Sequence, residues 1–102
     1  SLMAELSDGF VAMPGGIGTL EELFEAWTWS QLGIHEKPVG VLNVAGFYDG
    51  LIQFLQHATR SQFLKPEYLD VLLVDNDSRL LLDRMMSYSP PLVEKWLKAE
   101  QI

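Results

Sequence analysis

The 102-residue chain contains no cysteine. Disulfides, thiolate nucleophiles and thiolate metal sites are therefore excluded, and a reducing compartment is permitted. Positive charge is scarce, with seven Lys and Arg against fourteen Asp and Glu and a net charge of -7. Such a balance argues against the backbone of nucleic acid or an anionic membrane as a partner. No apolar run approaches the ~20 residues of a membrane span, and no stretch reads as a signal peptide, so the expected location is cytoplasmic. The shortage of cations is also uneven. Residues 1–36 hold no Lys or Arg but six acids, Glu5, Asp8, Glu21, Glu22, Glu25 and Glu36, and every basic residue lies between positions 37 and 98. A phosphate bound by the first third of the chain would need backbone dipoles, or a cation brought from elsewhere.

Hydrophobic residues make up 48% of the chain and aromatics 11%, enough for one core, although a chain of this size buries only a modest share of its surface. The elements alternate. Residues 1–6 read as the frayed end of a helix and 10–13 as a buried strand. Residues 19–33 read as a helix with Leu20, Leu23, Phe24 and Trp27 at core spacing. A second strand spans 39–44, bounded by Pro38 and Gly46. A second helix spans 48–62, capped by Asp49, with Leu51, Ile52, Leu55 and Ala58 inward. The third strand is 71–74, and the third helix is 77–87, capped by Asp75 or Asp77. This order predicts an α/β fold of parallel βαβ units with right-handed crossovers. Pro90-Pro91 ends it, leaving one domain over 1–91 and a short amphipathic tail over 92–102.

The segment Pro14-Gly15-Gly16-Ile17-Gly18-Thr19-Leu20-Glu21-Glu22 follows the first strand and opens the first helix. A strand, glycine turn and helix in that order is a device for holding phosphate. The glycines are expected to turn the backbone with positive φ and to let it approach a ligand with no Cβ in the way. The free N–H groups of the helix then face that ligand, with the dipole favouring negative charge. The segment is neither Gly-x-Gly-x-x-Gly nor a P-loop, since no Lys follows the turn. Glu21 and Glu22 are expected in the first helical turn, and a phosphate cradle beside a carboxylate points to an enzyme acting on a sugar phosphate or nucleotide. Thr19-Leu20-Glu21-Glu22 also fits a capping box, with Thr19 as the cap and Glu22 reaching back to it. Against a mere cap stand the three glycines, because a helix needs only one cap and each glycine costs backbone entropy.

The same nine residues match the Pro-Gly-Gly-x-Gly-Thr-x-x-Glu signature of the Lonely Guy (LOG) family, the cytokinin riboside 5'-monophosphate phosphoribohydrolases long mislabelled as lysine decarboxylases. Trp27-Thr28-Trp29-Ser30-Gln31-Leu32-Gly33-Ile34-His35, Lys37-Pro38-Val39-Gly40 and Gly46-Phe47-Tyr48-Asp49 also resemble the family, from about Met3 to Pro91. The resemblance implies a Rossmann-like parallel sheet with flanking helices, of which this chain would be the C-terminal half of a partial domain. It implies hydrolysis of the N-glycosidic bond of nucleoside 5'-monophosphates, of AMP or cytokinin riboside monophosphate type, releasing free base and ribose 5-phosphate with no cofactor. Glu22 would be the catalytic carboxylate. Gly15, Gly16, Ile17, Gly18, Thr19, Leu20 and Glu21 would bind substrate, with the phosphate on the N–H groups of residues 15–19. In the family an Arg-Lys pair precedes the counterpart of Met3 by about four residues, and its Arg works with the signature Glu. On that basis this chain alone is expected to self-associate and to show little turnover. The alternatives are a non-catalytic nucleotide or phosphorylated-cofactor binder, and a structural fragment. A pyridoxal phosphate decarboxylase needs a Schiff-base lysine, and Lys37, Lys65, Lys95 and Lys98 all lie outside the glycine turn.

Glu22, Ala26, Trp29 and Gly33 form a second stripe on the first helix, and a Trp there calls for cover. A neighbouring element of the same chain would supply it, or a second copy; the resemblance implies a homodimer through this helix. His35 and His57 have no second ligand at a metal-like spacing, so an exposed loop and a helix surface are expected for them, and no metal. Asp75-Asn76-Asp77 lacks the glycine and bidentate Glu of a calcium loop and reads as a cap. Met85 and Met86 read as core filler. Ser7, Ser30, Ser61 and Ser87 have no paired base nearby.

Overall fold

The computed structural model describes residues 3–6, 9–33 and 35–89. Four strands, β1 (Met3–Leu6), β2 (Gly9–Ala12), β3 (Val39–Leu42) and β4 (Leu72–Asp75), lie in that order in one sheet. β2, β3 and β4 are parallel, with Phe10 opposite Val39 and Val39 opposite Leu72. Helix α1 (Ile17–Gln31) connects β2 to β3, and α2 (Asp49–Arg60) with α3 (Pro66–Asp70) connects β3 to β4. These are the expected βαβ units, followed by α4 (Ser78–Met86).

The start of the chain departs from expectation. Residues 3–6 are a strand, not the end of a helix, and β1 pairs antiparallel with β2 from Met3 opposite Ala12 to Leu6 opposite Gly9, so the sheet is mixed. The edge of β2 offers each of these residues a ladder partner.

Alternation along the strands divides the core between two faces. Ala12, Val39, Val41 and Leu72 pack with Leu23, Ala26, Trp27, Tyr48, Leu55 and Val71, under α1 and α2. Val11 packs with Leu81 and Met85 of α4 on the other face. A Cβ on Gly40 would come within 2.9 Å of the Met85 sulfur and 3.1 Å of a Leu81 methyl, so the glycine sets how closely α4 approaches β3. Met85 is core as expected, whereas Met86 is exposed because it leaves the stripe that Leu81 and Met85 occupy.

Helix α1 starts two residues earlier than the sequence suggested and is turned slightly from the expected face. Thr19, Leu23, Ala26 and Trp27 are buried, Leu20 is half-buried, and Phe24 remains 37% exposed. The indole of Trp27 donates to the Tyr68 carbonyl at 2.9 Å within the core, which fixes the roll of the helix and keeps Phe24 outward. Gly33 ends α1 with φ of 76°, the left-handed position that favours glycine after a helix. β3 stops at Leu42, short of residue 44, because Val44–Gly46 forms a 3-10 turn. Asp49 lies inside α2 and gives no cap; Leu55 is buried and Leu51, Ile52 and Ala58 are half-buried, as their spacing required. α3 was not foreseen; Pro66 at its first position is the signal, since the ring pre-sets a helical φ. Asp77 caps α4, accepting from the Arg79 and Leu80 N–H groups at 2.9 and 3.1 Å. Pro90-Pro91 and the tail over 92–102 lie outside the described residues.

Candidate functional site

The glycine turn leaves the sheet at the carboxyl end of β2, where ligands of open α/β sheets are held. Gly16 is the residue before α1 and its backbone is extended, with φ of -100°. The first helical hydrogen bond runs from the Leu20 N–H to the Gly16 carbonyl at 3.2 Å. The N–H groups of Ile17, Gly18 and Thr19 therefore lie at the positive end of the helix, where no intrahelical acceptor reaches them. No side chain caps this end.

Three expectations about the turn are corrected. Gly15, Gly16 and Gly18 do not have positive φ; among the described glycines only Gly33 and Gly46 do. What the turn gains from glycine is room, because a Cβ built on Gly16 or Gly18 meets nothing within 4 Å. Thr19 is not the cap but sits buried in the third helical position, so the capping box does not form around it. Glu21 and Glu22 consequently fall in the second turn of α1, with no acid in the first, and both are exposed. Ile17 stands 85% exposed at the tip of the turn, and Leu20 leans on the core below it.

From Glu22 a cleft of about 240 Å³ runs down the side of α1. Glu22, Glu25, Ala26 and Trp29 line it from the helix, and Glu5 and Phe10 from the β1–β2 pair. The residues at its foot hold one another. Lys37 Nζ lies 3.7 Å from Glu5 Oε1 and 5.5 Å from the centre of the Phe10 ring, a cation over an aromatic face. The His35 ring packs on Phe10 with centroids 5.0 Å apart. Its Nδ1 accepts from the Lys37 N–H at 3.2 Å, which leaves Nε2–H to donate to the Ala26 carbonyl at 2.9 Å. His35 is thus half-buried and structural rather than part of an exposed loop, while His57 is exposed on α2 as expected. Trp29 remains 45% exposed, so its own chain covers it only in part.

Residues that sequence reasoning had passed over complete the neighbourhood. The Tyr48 hydroxyl donates to the Met13 carbonyl at 2.6 Å, and the Tyr48 N–H donates to Asn43 Oδ1 at 2.7 Å. Asn43 Nδ2 donates to Asp49 Oδ1 at 2.7 Å. The spacing of Tyr48 showed only a helix start, and its hydroxyl partner lies 35 residues away. Among the described residues no group of three or more His, Asp or Glu could hold a metal ion, and no helix is long and apolar enough to cross a membrane.

The sequence model of the family described as possible lysine decarboxylase matches residues 1–85. The chain is 47% identical over 88 residues to the probable cytokinin riboside 5'-monophosphate phosphoribohydrolase LOGL6 of Oryza sativa subsp. japonica, covering 86% of this chain and 35% of the relative. It is 46% identical over 88 residues to cytokinin riboside 5'-monophosphate phosphoribohydrolase LOG3 of Arabidopsis thaliana, covering 86% and 41%. A third relative, the probable phosphoribohydrolase LOG6 of Arabidopsis thaliana, is 46% identical over 90 residues, covering 88% and 45%. The chain thus spans between a third and a half of the length of the curated relatives it matches.

Burial pushes the Tyr48 phenol above its ordinary value of 10.0, because the phenolate would lose its hydration. The hydroxyl is therefore a neutral donor throughout the neutral range. A folded-state value above the unfolded one gives stability that is fully present below pH 10.0 and is lost as pH rises through the folded value. Raising the pH from about 8 to about 11 should accordingly lower the thermal midpoint of the parent more than that of Tyr48→Phe, since other tyrosines titrate alike in both. Thermal melts across that range check this, and parallel curves would contradict it.

Proposed function

We propose, because this chain belongs to the possible lysine decarboxylase family, that it carries the phosphate-holding and carboxylate half of a nucleoside 5'-monophosphate phosphoribohydrolase site. The reaction is hydrolysis of the N-glycosidic bond of AMP or of a cytokinin riboside monophosphate. The observation that carries this reading is the open space over Gly16 and Gly18 at the start of α1, with the exposed Glu22 in the next turn of the same helix. The names of the relatives support the substrate class.

In this reading the 5'-phosphate rests on the N–H groups of Gly15, Gly16, Ile17, Gly18 and Thr19, where the helix dipole offsets its charge. Leu20, wedged on the core, fixes the height of the turn, and Glu21 flanks the ribose. As the bond from C1' to the base lengthens, the ribose gains oxocarbenium character. The Glu22 carboxylate stabilises that charge and takes a proton from the attacking water, whose oxygen bonds to C1' while the base departs with the bonding pair. The cleft below Glu22 gives room beside the reacting centre. A decarboxylase reading fits the geometry less well. Lys37 lies near the foot of β3, at the opposite end of the strands from the turn.

The protein is further proposed to be a cytoplasmic homodimer that does not bind nucleic acid. The exposed part of the Trp29 ring supports the pairing, and the net charge of -7 disfavours a polyanionic partner.

Gly16→Val tests the cradle. Its extended backbone and open surroundings accept the new side chain, so the melting temperature should stay within a few degrees while AMP binding by calorimetry is lost. Retained binding would remove the cradle. Glu22→Gln, made in a version extended to the family's full length and assayed for adenine release beside this chain, should lose at least about a hundredfold in turnover with AMP affinity kept. Binding without turnover in both parent forms would favour the non-catalytic alternative. Trp29→Ala should shift the mass measured by light scattering from dimer towards monomer, and an unchanged mass would place the pairing surface elsewhere.

A further inference from the structure

We infer that Tyr48 is a positioning residue for the phosphate-holding turn, gripping it from the neighbouring loop; this rests on the reading of the turn given under Proposed function. The turn is poorly equipped to hold its own shape. Three of its residues are glycines, and no side chain caps the helix that follows. Backbone N–H groups bind phosphate well only when their directions are set beforehand, because ordering them at the moment of binding costs affinity.

Tyr48 supplies an anchor where it has most leverage. Its hydroxyl holds the Met13 carbonyl at 2.6 Å, and that carbonyl belongs to the peptide joining Met13 to Pro14. The peptide is planar and the proline ring fixes the next φ, so pinning this one oxygen sets the direction in which the chain enters Gly15 and Gly16. The ring of Tyr48 is only 2% exposed within the core, so the hydroxyl is itself held still. Packing alone would be satisfied by phenylalanine. The hydroxyl adds only the bond to Met13.

The loop behind Tyr48 is built to present it. The Asn43 N–H is tied to the Asp75 carbonyl at the end of β4 at 2.8 Å, and the Asn43 side chain holds the Tyr48 N–H and the Asp49 carboxylate, each at 2.7 Å. Between them Ala45 and Gly46 take left-handed conformations, with φ of 52° and 72°, which fold the chain back over the end of β2. The φ of Gly46 favours glycine, and a Cβ there would stand 2.7 Å from Asp49 Oδ2 and have to displace that carboxylate. Tyr48 does not line the cleft beside Glu22, and it acts on a ligand only through the turn.

The test is Tyr48→Phe, which keeps the ring and removes the bond. Nuclear magnetic relaxation of the amides of residues 15–18 should show order parameters falling from about 0.85 towards about 0.6, with α2 and α4 unchanged. AMP affinity should fall about tenfold and adenine affinity should not change, since adenine lacks the phosphate. A turn as rigid as in the parent, or a loosening spread evenly over all helices, would overturn the inference, and so would unchanged AMP affinity in a parent that binds it. If the parent fails to bind AMP, the proposed function fails while the relaxation measurement still decides the role of Tyr48. Should Tyr48→Phe not fold, Asn43→Ala breaks the same linkage from the exposed loop. It must loosen the turn locally for the inference to stand.

Discussion

Three parallel strands need cover on both faces, and this requirement governs where everything else in the chain can go. Val39, Gly40 and Val41 are buried in succession, with no polar side to give to water. One face therefore takes α1 and α2, and the other takes α4. Because each helix must return to the same end of the sheet before the next strand starts, the turn after β2 and the loop after β3 emerge side by side at the carboxyl edge. The loop after β3 is braced from within by the Asn43 side chain, whereas the turn after β2 has no side-chain cap of its own. The Tyr48 hydrogen bond to Met13 joins the two.

The electrostatics follow from that arrangement. The described start of α1 carries neither a capping side chain nor an acid in its first turn, so its positive end is left for something else. Moving Glu21 and Glu22 into the second turn matters in two ways. It separates the carboxylates from the N–H groups they would otherwise satisfy, and it places Glu22 on a different stretch of surface, at the head of the cleft. A single helix thereby presents a region suited to an anion and, farther along, a carboxylate suited to developing positive charge. With both on one rigid element, their spacing does not depend on loop motion.

The parts of this fold that could be read from the sequence are those encoded locally. Strand, glycine turn and helix appear in consecutive residues, and the periodicities of Leu23 and Trp27 in α1 and of Leu51, Ile52 and Leu55 in α2 point inward as they should. What was misjudged depends on partners distant in sequence. The pairing of residues 3–6 is set by the free edge of β2, and the outward position of Phe24 by the bond between Trp27 and Tyr68. The glycines of the turn differ from expectation. Their count suggested unusual φ, whereas Gly16 and Gly18 are ordinary in conformation and unusual only in the empty space beside them. No pattern of residue types distinguishes these two uses of glycine.

Tertiary contact also alters the charge picture that composition suggested. Residues 1–36 lack any Lys or Arg, yet the parallel register brings the start of β3 beside β2 and β1, and with it Lys37 to Glu5 at the foot of the cleft. That ammonium is partly exposed and spread between a carboxylate and the Phe10 ring, so as an ion pair it contributes little to stability. Its effect is on shape. With His35 it ties the segment before β3 to Phe10 and to the Ala26 carbonyl, closing the lower end of a groove whose upper end is Glu22. At the opposite end of the strands the cation is Arg84, which lies 3.5 Å from Asp75 at the end of β4, two strands away from β2. An anion at the turn, as proposed, would be met by backbone N–H groups whose direction depends on how firmly Met13 is held.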